Sequence, residues 1–420
     1  MAAEIIRYGT NARLTLEMDQ SAIIAVCGRP RGEALDDAAA AVAARLVDPD
    51  GFPPLEEATV PGDRVAVVIN HGVPQAAAVV AGVIQTLVEG RVAADDITIV
   101  LPSKEHEPTS ITAQLPPAIR QKIAVHRHDP SDSADLAYLA NSHDGHPILV
   151  NRCIVDADFV IPIGCMRTNA WTSSQQLPSD AAGCLGVFPS FADQATRERL
   201  LRTSIWGDGP QAAQLRRDLS EATWLLGASF TVQVIPGTGD SILHVLAGTF
   251  EAVAEQAQAL VRAAWDFHVP QRAHLVVAAI EGEQQTWENV TRALQAAARV
   301  VEDSGTIAIC SEIATPPLAT RPSDEDVERM LGVGFDEAKL GLDALESQDI
   351  ISEALPLDLA DVRIYLLSQL DEDTVTGLGF GYVAQPHEIS NLGRRHRDYI
   401  VISNAQHAFA TPENEDIRLP

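Results

Sequence analysis

The chain has 420 residues, of which 46% are hydrophobic and 21% charged, a composition typical of a globular protein with more than one domain. Its formal net charge of −28 excludes a broad basic surface, so we expect neither nucleic acid nor an anionic membrane as a partner. The sequence has five cysteines without a CxxC motif, no visible signal peptide, and no apolar run of about 18 residues, which predicts a cytoplasmic protein with reduced thiols and no membrane span.

The first half of the sequence alternates short β-branched runs with Ala-rich stretches, a pattern typical of α/β layers. The predicted strands are, in chain order, residues 64–70, 96–101, 122–126, 147–151 and 157–164. A helix is predicted over residues 76–87. Because the strand runs are continuously apolar rather than alternating, they predict a mainly parallel sheet covered on both faces.

In the second half, residues 231–235 and 241–247 flank a Pro-Gly-Thr-Gly-Asp turn and predict a β-hairpin. An Ala-rich helix over residues 250–265 is followed by a break near residues 266–272. We therefore predict an N-terminal α/β domain over residues 1–267 and a C-terminal α/β domain over residues 268–420. The elements predicted for the second domain are a strand at 274–280, a helix at 287–301, a strand at 305–310, a helix from Ser323 to Leu331, and strands at 361–367 and 398–403.

Three predicted strands of the first domain end in polar residues that a simple turn does not require. The residues of interest beyond these strand ends are Asn70, His71, His106, Arg167, Asn169 and Trp171. Ligands of open α/β sheets bind beyond the carboxyl ends of the strands. If the three strands are neighbours, His71, His106 and Asn169 converge on one pocket. The alternative for each of these three residues is a turn or capping role.

A polar cluster of His126, Arg127, His128 and Asp129 follows the predicted strand at 122–126. The two histidines are two residues apart, so they would share one face of an extended strand. No third ligand at a useful spacing is evident, and we therefore predict no metal site here.

Six segments in a fixed order carry a family resemblance. They are GDRVAVVINHGVPQ at 62–75, ITIVLPSKEHEPTS at 97–110, HDPSD at 128–132, HPILVNRCIVDADFVIPIG at 146–164, GTIAICSEI at 305–313 and ADVRIYLLSQLDEDTVTGLGFGYVAQPHEI at 360–389. Together they resemble the lactate racemase family, whose active members use a nickel-pincer nucleotide to interconvert 2-hydroxy acids. The resemblance implies two α/β domains facing each other across a central cleft that holds cofactor and substrate. It also implies hydride transfer at nickel, with two histidines acting as acid and base toward the hydroxyl group.

Carried over onto this sequence, the family's first catalytic histidine falls on His106 and its second on Asn169, whose amide cannot exchange a proton near neutral pH. The cofactor-bearing lysine of the family falls near Ser179, within a stretch at 123–338 that contains no lysine. The metal-binding histidine of the family would fall within 189–217, which contains no histidine. The resemblance thus carries over one of the two acid–base residues and neither cofactor holder.

The substrate contacts of the family are also altered. Its substrate-loop aspartate falls on Asn70, and a late lysine falls on or beside Glu283, which reverses a charge where a carboxylate would bind. The predicted substrate-binding or ligand-binding residues are Asn70, His71, Arg167, Glu283 and Gln284, and the predicted cofactor-binding residues are Asp129, Arg152 and Trp171. Arg152 and Arg167 are the expected anion contacts, with surface ion pairs as the alternative for both.

Two functions remain open at this point. The first is a 2-hydroxy acid racemase or epimerase that holds the nickel cofactor without a covalent bond. The second is a non-catalytic relative that binds a small ligand or a partner protein in the same cleft. A different enzyme built around His106, Asp129 and Arg167 has no motif behind it. We predict a divergent member of the family that binds a small 2-hydroxy acid or similar anion and has lost the nickel-pincer chemistry, because site residues and not the fold decide function.

Overall fold

In a computed structural model, the chain is organised around two six-stranded, mainly parallel sheets. The structure describes residues 3–17, 20–103, 107–167, 186–188, 190–197, 210–316 and 361–413. Each sheet belongs to one of two compact units. Unit 1 comprises Met1–Arg31, Thr238–Asp240 and Trp265–Pro420, and unit 2 comprises Gly32–Gly237 and Ser241–Ala264. The predicted α/β class with mainly parallel sheets is confirmed.

The sheet of unit 2 has the strand order β11-β10-β9-β4-β5-β6. Its strands are β4 (Val65–Ile69), β5 (Ile97–Leu101), β6 (Ala124–Arg127), β9 (Phe159–Cys165), β10 (Thr231–Pro236) and β11 (Ile242–Gly248). β4 is buried at all five positions and pairs in parallel with β5 on one side and β9 on the other. β10 and β11 form the predicted antiparallel hairpin, and β10 attaches it to the sheet beside β9.

Helices and a small hairpin complete unit 2. The further elements of unit 2 are α1 (Ala38–Val47), α2 (Leu55–Ala58), α3 (Ala76–Glu89), a 3-10 helix (Ala94–Asp96), α4 (Pro108–Ile111), α5 (Pro117–Arg120), β7 (Leu136–Asn141), β8 (Pro147–Asn151), α6 (Arg152–Val155), α7 (Pro210–Leu225) and α8 (Phe250–Trp265), of which α8 ends one residue into unit 1. α3 buries Val79, Val83 and Ile84 in the main core of the unit. Gly82 allows α1 to approach, since a Cβ there would lie 2.5 Å from the carbonyl oxygen of Ala39.

One strand prediction needs correction. Residues 147–151 do form a strand, β8, but it pairs antiparallel with β7 and does not belong to the parallel sheet. The two strands are joined by a tight turn in which the backbone N–H of Ser142 donates to the carbonyl of His146 at 2.8 Å. Such a short connection fits an antiparallel hairpin, because a parallel partner requires a long crossover.

The sheet of unit 1 is entirely parallel, in the order β16-β15-β14-β13-β17-β3. Its strands are β3 (Ile23–Cys27), β13 (Ala273–Ala279), β14 (Val301–Cys310), β15 (Arg363–Leu367), β16 (Gly381–Val383) and β17 (Tyr399–Ile402). The further elements of unit 1 are β1 (Ala3–Tyr8), β2 (Ala12–Glu17), a 3-10 helix (Gln20–Ala22), β12 (Asp266–Val269), β18 (Phe409–Pro412), α9 (Trp287–Ala298), α10 (Glu372–Gly377) and α11 (Pro386–Gly393). No helix in the described ranges of the chain combines the length and the apolar character that a membrane crossing requires.

The N-terminal segment joins the C-terminal half of the chain. β3 pairs in parallel with β17, with Val26 beside Val401, so residues 1–31 belong to unit 1. The single boundary predicted between residues 267 and 268 stays a prediction, and the compact units of the structure are interleaved in sequence.

Two helix predictions in the second half have different outcomes. The helix predicted over 287–301 ends at Ala298, and β14 already begins at Val301. The consecutive β-branched residues Val300 and Val301 favour an extended backbone, which explains the earlier end. The helix predicted from Ser323 to Leu331 lies outside the described residues.

Candidate functional site

The carboxyl edge of the sheet of unit 2 brings together two of the predicted site segments. β4 lies between β5 and β9, so the residues that follow these three strands emerge side by side. The backbone N–H of Asn70, one residue beyond β4, donates to the carbonyl of Ile163 in β9 at 2.9 Å. Asn70 and His71 are both half-buried at this edge.

Arg167 follows β9 and contacts the loop after β4. Its Nη2 donates a hydrogen bond to the carbonyl oxygen of Gly72, in the loop after β4. The backbone of Gly72 has a φ of +71°, and a Cβ there would lie 2.8 Å from Nη2 of Arg167. Glycine at position 72 therefore permits both the turn and the close approach of the guanidinium group.

The guanidinium of Arg167 has no carboxylate partner in the described part of the chain. Its Nε is buried and has no hydrogen-bond partner among the described residues. A half-buried guanidinium with this geometry suits a carboxylate, which it can bind through two parallel N–H···O bonds.

Three of the predicted site residues, His106, Asn169 and Trp171, lie outside the described residues. The described chain after β5 extends to Ser103, at the same sheet edge as Asn70. The catalytic roles of His106 and Asn169 and the cofactor contact of Trp171 therefore stay predictions.

His128, just beyond β6, is a buried structural histidine. Its Nε2 lies 3.0 Å from the carbonyl oxygen of Ala192 and its Nδ1 lies 3.1 Å from the side-chain amide nitrogen of Asn151. Because a carbonyl can only accept, Nε2 carries the hydrogen and Nδ1 accepts from Asn151. Burial lowers the pKa of His128 to about 4, so the imidazole is neutral at physiological pH.

The two other predicted cofactor contacts in unit 2 are engaged in local hydrogen bonds. Asp129 accepts from the backbone N–H and the hydroxyl of Ser131, at 3.0 and 2.7 Å, and so caps a turn. Arg152 donates from Nε to the carbonyl of Ala134 and from Nη2 to that of Leu136, at 3.1 and 2.7 Å. Their predicted contacts with a cofactor stay predictions, and Arg167 is the better placed of the two predicted cationic anchors.

A second polar constellation lies at the carboxyl edge of the sheet of unit 1, around Glu281, just beyond β13. The side-chain amide of Asn404 donates to Oε1 of Glu281 at 3.1 Å and to the carbonyl of Gly28 at 3.2 Å, while its oxygen accepts from the N–H of Gly239 at 2.8 Å. Asn404 itself is buried with a φ of +45°, a left-handed conformation that asparagine tolerates better than most residues. Gln406 donates from Nε2 to the carbonyl of Glu281 at 2.8 Å.

The electrostatics of this edge are dominated by partly buried carboxyl groups. Burial raises the pKa of Glu281 above its ordinary value, although Arg7 and Arg29 act in the opposite direction. Burial likewise raises the pKa of Asp240, and the carboxylate of Glu283 adds to that effect. Desolvated carboxyl groups at the end of a parallel strand are typical of ligand sites.

The predicted residues Glu283 and Gln284 lie at this same edge. Glu283 is exposed, and its backbone N–H donates to Oδ2 of Asp240 at 2.8 Å. The carbonyl of Gln284 accepts from the side-chain amide of Asn289, at 2.7 Å, near the start of α9. The structure thus adds Glu281, Asn404 and Gln406 to the predicted pair. The position of Asn404 after the predicted strand at 398–403 was the available signal, by the same strand-end rule that selected Asn70.

Comparison with known proteins agrees with this architecture. Residues 8–171 match the family model described as the lactate racemase N-terminal domain. Among solved structures, the chain is similar to the lactate racemase apoprotein from Thermoanaerobacterium thermosaccharolyticum, with 16% identity over 97% of this chain and 100% of that chain and a TM-score of 0.69. A protein from Thermotoga maritima is similar with 14% identity, over 91% of this chain and 100% of that chain, with a TM-score of 0.61. At these identities the structural likeness shows the fold alone. No curated protein matches the sequence.

Proposed function

Because residues 8–171 match the lactate racemase N-terminal domain and the chain shares the fold of a lactate racemase apoprotein, we propose that it is a lactate-racemase-like protein that binds a small 2-hydroxy acid or a similar carboxylate at the carboxyl edge of the sheet of unit 2, without the nickel-pincer chemistry. The observation that carries the proposal is the guanidinium of Arg167, fixed on Gly72 and without an acidic partner among the described residues. A hydrogen bond between charged groups contributes about 1.5–3 kcal/mol, enough to favour an anion at this edge.

The neighbouring residues define what the ligand can be. Asn70 lies at the same sheet edge and offers an amide that both donates and accepts, so a hydroxyl group beside the bound carboxylate would find a partner. This combination of one guanidinium group with a neighbouring amide fits a small hydroxy acid better than a phosphate ester, which carries more charge.

The residues present do not fit the nickel-pincer nucleotide. His128 is a histidine of this sheet edge, but both of its ring nitrogens are engaged, one by the carbonyl of Ala192 and the other by the amide of Asn151. Neither a lysine tether within 123–338 nor a histidine within 189–217 is available in the sequence. No group of three histidine, cysteine, aspartate or glutamate side chains in the described ranges is arranged to hold a metal ion. We therefore derive no reaction step through this group.

A second candidate function is a racemase that holds the cofactor without a covalent bond. The retained histidine at position 106 favours it, since this residue falls on the first acid–base position of the family. Asn169 at the second position speaks against it, because an amide cannot act as acid or base toward the hydroxyl group of the second enantiomer.

The test combines binding, interconversion and metal content in the full chain. We expect isothermal titration to show binding of D- or L-lactate, and chiral analysis after incubation to show no interconversion of the two enantiomers. Protein produced together with the cofactor-making enzymes should contain no nickel and show no cofactor-sized addition to its intact mass. Interconversion of the enantiomers together with nickel and nucleotide in the purified protein would establish the second candidate, and failure of every small hydroxy acid to bind would refute the proposed function.

A further inference from the structure

We propose that the carboxyl edge of the sheet of unit 1 binds a primary ammonium group, and that Glu281 is the carboxylate that receives it. This inference does not depend on the anion site at Arg167. It concerns the residues that follow β13 and β17 and the loop Thr238–Asp240.

The carboxylate of Glu281 is partly buried and has no cationic partner in the described part of the chain. Asn404 is its hydrogen-bond donor, through a single amide hydrogen at 3.1 Å. Arg7 and Arg29 are exposed and act on it only over a longer distance. A carboxylate that has lost water without gaining a cation is poised to bind one from outside.

Gln406, next to Glu281, has a buried acceptor without a donor among the described residues. This residue is 3% exposed, and its Oε1 is buried without a hydrogen-bond donor. The other atom of the same planar amide, Nε2, bonds the carbonyl of Glu281 at 2.8 Å, so the acceptor without a donor lies beside Glu281. Buried acceptors rarely remain unsatisfied, and this one calls for an N–H or O–H group from a ligand.

The loop Thr238–Asp240 lies against Asn404 and adds a second carboxylate. Gly239 donates its N–H to Oδ1 of Asn404, which holds the loop with Asp240 against the same residue that orients Glu281. Gly282 has a φ of +102°, and a Cβ there would lie 2.8 Å from Oδ1 of Asp240. The chain thus places two carboxylates and an amide oxygen, all hydrogen-bond acceptors, around one short stretch of backbone.

The chemistry selects an ammonium group over the alternatives. An anion would meet the carboxylates of Glu281 and Asp240 and would be repelled. A divalent metal ion usually needs three or more strong ligands, and no such group is present in the described ranges. An ammonium group supplies three N–H donors and a compact charge, which matches a carboxylate with an adjacent amide oxygen.

Titration with two matched probes tests the inference in the full chain at neutral pH. Ethanolamine carries an ammonium group, and ethylene glycol replaces that group by a neutral hydroxyl of similar size. We expect ethanolamine to bind at least about tenfold more tightly than ethylene glycol. Glu281→Gln should abolish that difference, whereas Asp240→Asn should reduce it severalfold. Glu255→Gln, at an exposed position of α8, is the matched control and should leave it unchanged.

Each outcome decides the proposal. Circular dichroism verifies that the variants are folded, and if Glu281→Gln fails to fold, Asp240→Asn carries the comparison. Equal affinity for the two probes would overturn the inference, as would unchanged ethanolamine binding in both folded variants. Competition by Ca²⁺ or Mg²⁺ at micromolar concentration would also overturn it, in favour of a metal site.

Discussion

The side-chain amide of Asn151 donates a hydrogen bond to Nδ1 of His128 across 3.1 Å, and this pair holds a neutral imidazole in the interior of unit 2. Asn151 also caps α6, because its Oδ1 accepts from the N–H of Cys153 at 3.0 Å. One asparagine therefore links the end of β6 to the start of α6.

The buried imidazole of His128 predicts a loss of stability in mild acid. Its pKa is about 4 in the folded protein and about 6.5 in the unfolded chain, so between these values only the unfolded state takes up the proton. The contribution is fully present above pH 6.5 and is lost as the pH falls toward 4, by on the order of 3 kcal/mol in total. Denaturant unfolding at pH 7 and pH 4.5 measures it.

The comparison needs two variants. His128→Gln keeps a side-chain donor but cannot titrate, so its free energy of unfolding should depend less on pH than that of the unmodified protein. His146→Gln changes an exposed histidine and should retain the full pH dependence. A similar slope in the unmodified protein and in His128→Gln would contradict the assignment.

Arg167→Gln should weaken the binding of lactate. The substitution removes the positive charge and its paired N–H donors at the edge of β9, so we expect a loss of at least about tenfold in affinity. Arg120→Gln, which removes an exposed arginine at the end of α5, is the matched control. Isothermal titration of both variants measures the effect, and equal affinities would remove Arg167 from the site.

Gly72→Ala should impair the same site without removing a charge. The added Cβ would lie 2.8 Å from Nη2 of Arg167, and the alanine would have to adopt a φ of +71°. Gly62→Ala is the matched control, because it has a φ of +99° but open space around the new Cβ. Both variants should lose about 1 kcal/mol of stability from the backbone, but only Gly72→Ala should lose lactate affinity. Thermal unfolding and titration together separate the two effects.

Asn404→Ala should destabilise the protein by about 3 kcal/mol, because three hydrogen bonds are lost and alanine is disfavoured at a φ of +45°. It should also raise the pKa of Glu281 further, since the amide of Asn404 helps to stabilise the carboxylate. Asn391→Ala, at an exposed position of α11, should cost little. Denaturant unfolding of the two variants checks the difference, and similar values would show that the contacts of Asn404 contribute little.

The strands that sequence patterns predicted best are those whose residues are apolar on both faces. β4 and β9 were found because continuous β-branched runs have few stable alternatives to a central strand. β8 was assigned to the wrong sheet, since the pattern of a single strand does not contain the identity of its partner. β3 was not predicted at all, and it is the strand that carries the N-terminal segment into unit 1.

The sequence by itself determined which side chains each segment offers for chemistry: residues 123–338 contain no lysine amine and residues 189–217 no imidazole, and no fold can supply a functional group that a segment lacks. The tertiary structure alone decided that Arg167 reaches Gly72, that His128 is enclosed, and that Asn404 faces Glu281. These contacts join residues up to 123 positions apart in the chain, and only the order and register of the strands fix them.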